Sequence, residues 1–143
     1  MVSPRRLTRC HLGPALRYHA AMTLRTVGYV SAAYDFLLAV PLLLAPSLVA
    51  TTMGLPPPRP AVNAQLNGVF ALALAVGYLW AARNPDARRG YFWIAGVLAK
   101  GLGPVVFVTD HLINRSPSAF LAFAVTDGAL ALLTLTVLLR RRV

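Results

Sequence analysis

Three residues in this chain have the types and the spacing to do chemistry together: Asp35, Lys100 and Asp127. Lys100 is the only lysine among 14 Lys and Arg residues, and Asp35 and Asp127 are two of only four carboxylates. Each lies near the middle of a long apolar run. From a helical rise of ~1.5 Å per residue, Lys100 is roughly 14 Å beyond Tyr91, Asp35 about 15 Å beyond Arg25, and Asp127 roughly 14 Å beyond Ser118. All three depths fall near the middle of a ~30 Å hydrocarbon layer. A charge there costs about 2.5–3.5 kcal/mol even on the most lenient insertion scale, so it is expected to be paired and to serve a purpose. One ammonium and two carboxylates carry a formal charge of −1 when all are ionised. Such a trio favours one of two states: a proton on one carboxylate, or a further bound cation.

Pro104 stands four residues after Lys100 and has no N–H to give to the Lys100 carbonyl. Gly101 and Gly103 flank the pair. The run Lys100-Gly101-Leu102-Gly103-Pro104 therefore predicts a weak point in its helix, with a free backbone acceptor beside the buried charge. Broken helices at mid-membrane often line an ion or ligand site, although small residues and proline also serve helix packing. Phe120 and Phe123 precede Asp127 on its helical face, as Gly28 and Ser31 precede Asp35. Tyr34 or Tyr29 could donate a hydrogen bond to a carboxylate. A second polar set stands nearer one membrane surface: Asn63 and Asn67, four apart on one face, with Asp110 and His111. These four could line an outer vestibule leading to the charges. They could equally be helix ends meeting headgroups, where polar groups cost little.

The elements that must position these residues follow from composition. The chain has 143 residues, is 57% hydrophobic and has a mean hydropathy of +0.63. Four continuous apolar segments, about 24–44, 62–82, 91–113 and 118–139, each approach the ~20 residues needed to cross a bilayer as a helix. Continuous rather than alternating hydrophobicity excludes strands. The expected fold is an all-α integral membrane four-helix bundle, up-down-up-down, forming a single domain over 22–143. Pro41 should kink the first span. Residues 46–54 read as a short interfacial turn of helix stopped by Gly54. Pro56, Pro57, Pro58 and Pro60 impose an extended loop.

The net charge of +10 follows topology rather than nucleic-acid binding. Arg5, Arg6, Arg9, Arg17 and Arg25 precede the first span. Arg83, Arg88 and Arg89 lie between the second and third, and Arg140, Arg141 and Arg142 follow the fourth. Only Arg59 and Arg115 lie on the opposite side. The positive-inside rule then puts both termini in the cytoplasm, where the arginines also suit anionic lipids. Tyr78, Trp80, Tyr91, Phe92 and Trp93 are expected at the cytoplasmic interface. Residues 1–21 read as a basic, disordered tail, and Met22 is an alternative start. Cys10, the single cysteine, excludes an intrachain disulfide and a thiolate metal site.

No nucleotide loop, nucleophile elbow, HExxH or paired histidine is present, so redox and hydrolytic mechanisms lack parts. No cofactor or metal is expected. The four-span layout and chain length resemble the DoxX-like group of small bacterial membrane proteins. The resemblance is one of architecture and carries over no site residues. It implies a bacterial inner-membrane bundle. Some members of that group are linked with quinol oxidation, for which this chain has no redox ligand. Small multidrug exporters share four spans and a membrane carboxylate, and here Lys100 and the charge bias depart from them. Three functions remain open. The first is binding or translocation of a small solute or proton at the Asp35–Lys100–Asp127 cluster. The second is an accessory or assembly subunit, docked on a partner subunit or on another copy, with the charges as a structural lock. The third is an enzyme acting on a lipid-like substrate.

Overall fold

The structure, a computed structural model, describes residues 14–140, with side chains from Leu24 onward. The expectations about residues 1–13, Cys10 among them, and about Arg141 and Arg142, lie outside the described residues. Among those described there are five helices and no strand. Helix α1 spans Pro14–Leu44, α2 Pro46–Thr52 and α3 Val62–Arg83. Helix α4 covers Arg89–Asn114 and α5 Ala119–Arg140. Four of the five carry stretches long and apolar enough to cross a membrane: Leu24–Leu44, Val62–Arg83, Arg89–Asn114 and Ala119–Arg140. These match the spans read from hydropathy to within two residues. Large apolar side chains stand exposed on all of them, Leu37 at 74% and Val125 at 70% for example, as lipid-facing surfaces require.

Helix ends follow local chemistry. Pro14 suits the first helical turn, where no N–H is needed, so α1 begins inside the stretch read as a tail. The helix runs through Pro41 and stops at Leu44; Ala45 leaves helical geometry and Pro46 starts α2. Helix α2 ends in a Schellman motif. Gly54, at φ 74°, donates to the Thr51 carbonyl at 3.1 Å, and Leu55 donates to Ala50 at 2.8 Å; the left-handed residue is the one that glycine adopts without strain. Arg115 ends α4 in the same left-handed region, at φ 57°.

The break expected at Lys100–Pro104 is absent. Lys100–Asn114 is uninterrupted α-helix through Pro104. The irregularity lies just upstream, where Phe92–Ala99 is π-helical and the Lys100 N–H bonds the Ala95 carbonyl, five residues back. A wider turn before Lys100 accommodates the misfit that a proline ring imposes on the carbonyl four residues earlier.

Helix α1 packs along α3, and α4 packs along α5. The two pairs touch less extensively, through α1 and α5 and through the π-helical stretch. The buried core gathers at one end of the molecule: Leu24 and Val27 of α1, Tyr78 and Ala81 of α3, Phe92 and Ala95 of α4, Val137 and Leu138 of α5. This tight end corrects the aromatic reading. Tyr78 and Phe92 are fully buried, not interfacial. The short connection between α3 and α4 stacks their rings together, Tyr78 against Tyr91 edge-on at 5.3 Å and against Phe92 at 6.1 Å. Arginines of this end close helix C-termini. Arg25 donates to the carbonyls of Ala82 (3.2 Å) and Arg83 (3.3 Å), Arg88 to Trp80 and Arg89 to Leu138. They satisfy acceptors with no partner inside the helix and oppose the negative end of its dipole.

Candidate functional site

The three charges meet. Asp35 comes from α1, Lys100 from the first turn after the π-helical stretch, and Asp127 from the middle of α5. Lys100 Nζ donates to Asp35 Oδ1 at 2.7 Å and to Asp127 Oδ1 at 3.1 Å. Its third side faces the Tyr34 ring, 4.5 Å from the centroid, a favourable cation–π arrangement. The ammonium thus has two carboxylate acceptors and an aromatic face around it. Lys100 and Asp35 are 4% exposed at the side chain, and Asp127 is 17% exposed. Among the described residues Lys100 is the only buried base.

Tyr34 stands beside the cluster as expected, with its hydroxyl in hydrogen-bonding reach of the Asp127 carboxylate. It also bonds the Thr126 hydroxyl at 2.8 Å. Thr126 Oγ1 also lies within hydrogen-bonding distance of the Ala122 and Phe123 carbonyls in its helix. The link crosses from α1 to α5 beside the ion cluster. Tyr29, the other tyrosine considered, is 45% exposed.

The two flanking glycines differ. Gly103 lies against the Asp127 carboxylate: a Cβ there would stand 3.4 Å from Asp127 Oδ2. Pro104 packs on Gly128 in the same contact. Gly101 faces open space and holds nothing close. Closer helix packing by glycine occurs elsewhere: Gly77 against Tyr91, Gly96 against Thr134, and Gly68 against Leu43 and Ala39.

Asp127 has a second aspect. It lines a cavity of ≈ 600 Å³ whose other walls are almost wholly apolar: Leu38, Pro41 and Leu42 of α1, Val49 and Met53 at α2, and the rings of Phe107, Phe120 and Phe123. The rings form a continuous wall, with Phe107 stacked on Phe120 at 5.9 Å and 8° and tilted against Phe123 at 6.0 Å. Among the lining residues, Asn67 and Thr52 are the other polar ones.

The predicted vestibule residues do not form one set. Asn67 reaches this cavity, whereas Asn63, one turn earlier, is exposed and does not line it. Asp110 lines a separate shallow depression with Val105, Val106 and Thr109, and accepts from Asn114 Nδ2 at 2.5 Å. His111 Nδ1 bonds the Ser116 carbonyl at 2.7 Å, within the loop to α5. Gln65, between the two asparagines in sequence, joins α3 to α1 at this end, donating to the Leu43 carbonyl at 3.2 Å.

Four contributors were not legible beforehand: the ring of Tyr34, Thr126, Phe107 and the returning α2. Thr126 and Tyr34 each stand next to a buried carboxylate in sequence, a signal that was available. The fold of α2 back over the cavity had none, since a seven-residue helix bounded by Ala45 and Gly54 can return in many directions.

Among the described residues four side-chain polar atoms are buried without a hydrogen bond: Asp35 Oδ2, Ser31 Oγ, Tyr78 OH and Ser116 Oγ. Ser31 is one turn before Asp35 on α1. Among the described residues no three His, Cys, Asp or Glu side chains are grouped to hold a metal. No family model, curated protein or solved structure matches this chain.

Proposed function

We propose that the protein is a multi-pass bacterial inner-membrane bundle, up-down-up-down with both termini cytoplasmic, that binds and moves a small solute or proton at Asp35–Lys100–Asp127. The observation that carries this reading is the double exposure of the cluster. Its Asp35–Lys100 side is packed dry, and its Asp127 side forms the polar floor of an apolar cavity. A charge system between a sealed half and an open half has the form that alternating access requires. The arginines that cap helices at the tight end are the ones the positive-inside rule assigns to the cytoplasm, and there they also meet anionic lipids. The cavity then opens toward the opposite side.

Single-cysteine labelling tests this. In a Cys10→Ser background, Thr52→Cys and Asn67→Cys are expected to react with a membrane-impermeant maleimide added outside intact cells. Ala81→Cys and Val137→Cys should stay unreactive from that side. Equal labelling of both groups, or labelling of the second alone, would remove the proposed orientation and the one-sided cavity together.

A second reading has its own support. The Asp35–Lys100 pair is the buried link between the α1/α3 and α4/α5 pairs, so the charges also fit a lock in an accessory or assembly subunit, docked on a partner membrane subunit or a second copy. An enzyme on a lipid-like substrate would need Asp110 and His111 in one groove, and they stand apart.

A further inference from the structure

The cavity and the charge count together specify a ligand class. Two carboxylates face one lysine, and that lysine is the only buried base among the described residues. With all three groups ionised the cluster carries one negative charge more than it neutralises. Burying an uncompensated ion is costly, so the cluster calls for one further positive charge, a proton or a cation, beside its carboxylates. The excess charge can be matched only from the cavity side, because Asp35 and Lys100 are sealed and Asp127 is not. The walls there are three phenyl rings and aliphatic side chains, with Asn67 and Thr52 as the only other polar lining. A small hydrated ion would lose its water to surfaces that return no hydrogen bonds. A cation wrapped in apolar groups loses little, and its charge gains from aromatic faces as well as from the carboxylate. The volume, ≈ 600 Å³, falls in the range of sites for drug-sized molecules.

We infer that Asp127 and the Phe107–Phe120–Phe123 wall form a site for an organic monocation with an apolar body, taken up in exchange for one proton. This rests on the proposed solute-binding reading and names its substrate class. The exchange balances: the protonated cluster gives up one proton to the medium as one cation pairs with the freed carboxylate, and no covalent bond is made or broken.

The full chain in lipid nanodiscs, titrated calorimetrically with empty nanodiscs as the blank, supplies the test. The probes are tetraphenylphosphonium, tetraphenylborate of the same shape and opposite charge, and neutral triphenylphosphine oxide. The phosphonium is expected to bind saturably, one per chain, and buffers of different ionisation enthalpy should report close to one proton released. Asp127→Asn should weaken it at least about tenfold and abolish the proton release. Leu42→Trp, which fills the cavity and leaves all three charges in place, should remove binding by itself; it decides the matter if Asp127→Asn fails to fold. Tetraphenylborate should not bind saturably. If the neutral and anionic probes bind as tightly as the phosphonium and all are blocked by Leu42→Trp, the cavity is a solute site and the cation assignment is wrong. If no probe binds saturably, or Leu42→Trp changes nothing, the inference and the solute-binding reading fall together. Cation binding with no proton released overturns the exchange.

Discussion

The two halves of this bundle are built differently. In the tight half, Leu24, Tyr78, Phe92 and Leu138 are all fully buried, rings stack across helices, and arginines close the carbonyl ends. In the open half, Leu37, Val40 and Leu66 are exposed, and the helices stand around a cavity walled by phenylalanines. The ion cluster lies at the boundary. A lipid-facing helix gains nothing from burying a leucine, because lipid tails are as apolar as a protein interior; association depends on close van der Waals fit and hydrogen bonds. The tight half meets that requirement across all four long helices, whereas in the open half it is met between α1 and α3, at Gly68 and Gln65. The difference teaches where the energy that holds the helices together resides, and it leaves the other half free to receive something.

The sharpest way to break the comparison is to cut the boundary. Lys100→Met leaves Asp35 buried with no cation, and removing one member of a buried ion pair costs roughly 3–5 kcal/mol. The expected outcome is a large drop in thermal stability in detergent, with the α1/α3 and α4/α5 pairs losing their ionic link. Adding Asp35→Asn should recover most of that loss, since two neutral groups replace an orphaned charge. Asp127→Asn in the same Lys100→Met background should recover less, because Asp127 already reaches the cavity. If the single variant is as stable as the wild type, the cluster is not what joins the pairs and the lock reading fails.

A second comparison sets ring against ring. Phe92→Ala in the tight half leaves a void of roughly 100 Å³, and at ~24 cal/mol per Å³ the cavity term alone is about 2 kcal/mol. Phe120→Ala in the open half enlarges a space that already exists, so its cost should stay below about 1 kcal/mol. Denaturation midpoints in one detergent check both. Equal losses would mean that the open half is packed in the protein's working state.

The sequence disclosed the four spans, the short helix ended by Gly54 and the meeting of Asp35, Lys100 and Asp127, all from hydropathy, turn chemistry and the cost of charge at mid-bilayer. These signals are local or one-dimensional, so one chain suffices to read them. What it did not disclose depends on how helices rotate about their axes. Pro104 suggested a break at its own carbonyl partner, but the helix absorbed the misfit one turn earlier as π-helix. Asp110, His111, Asn63 and Asn67 share a depth, and depth says nothing of facing: Asn67 meets the cavity, His111 the loop and Asp110 a separate depression. Tyr78 and Phe92 illustrate the same limit. Aromatic type near a span end is consistent with an interfacial belt or a core, and only packing between α3 and α4 decides.

The finest test of the two halves uses two glycines five residues apart on α4. Gly96 sits in the π-helical stretch, where an added Cβ would lie 2.6 Å from the Thr134 methyl. Thr134 cannot step aside easily: it is fully buried and its hydroxyl is bonded to the Leu130 carbonyl at 2.7 Å. Gly96→Ala should therefore cost about 1–2 kcal/mol through overpacking. Thr134→Ser removes the offending methyl and keeps the hydroxyl, so the pair Gly96→Ala with Thr134→Ser should regain part of the loss. Gly101, beside Lys100, has nothing within reach of a Cβ. Gly101→Ala should stabilise by about 0.5–1 kcal/mol, the helix-propensity difference between the two residues. Opposite signs for the same substitution in one helix, read as thermal shifts, would show that close packing ends between Gly96 and Lys100. A loss at Gly101 as large as that at Gly96 would extend the tight half past the charges, and the cavity would then have to close over Asp127.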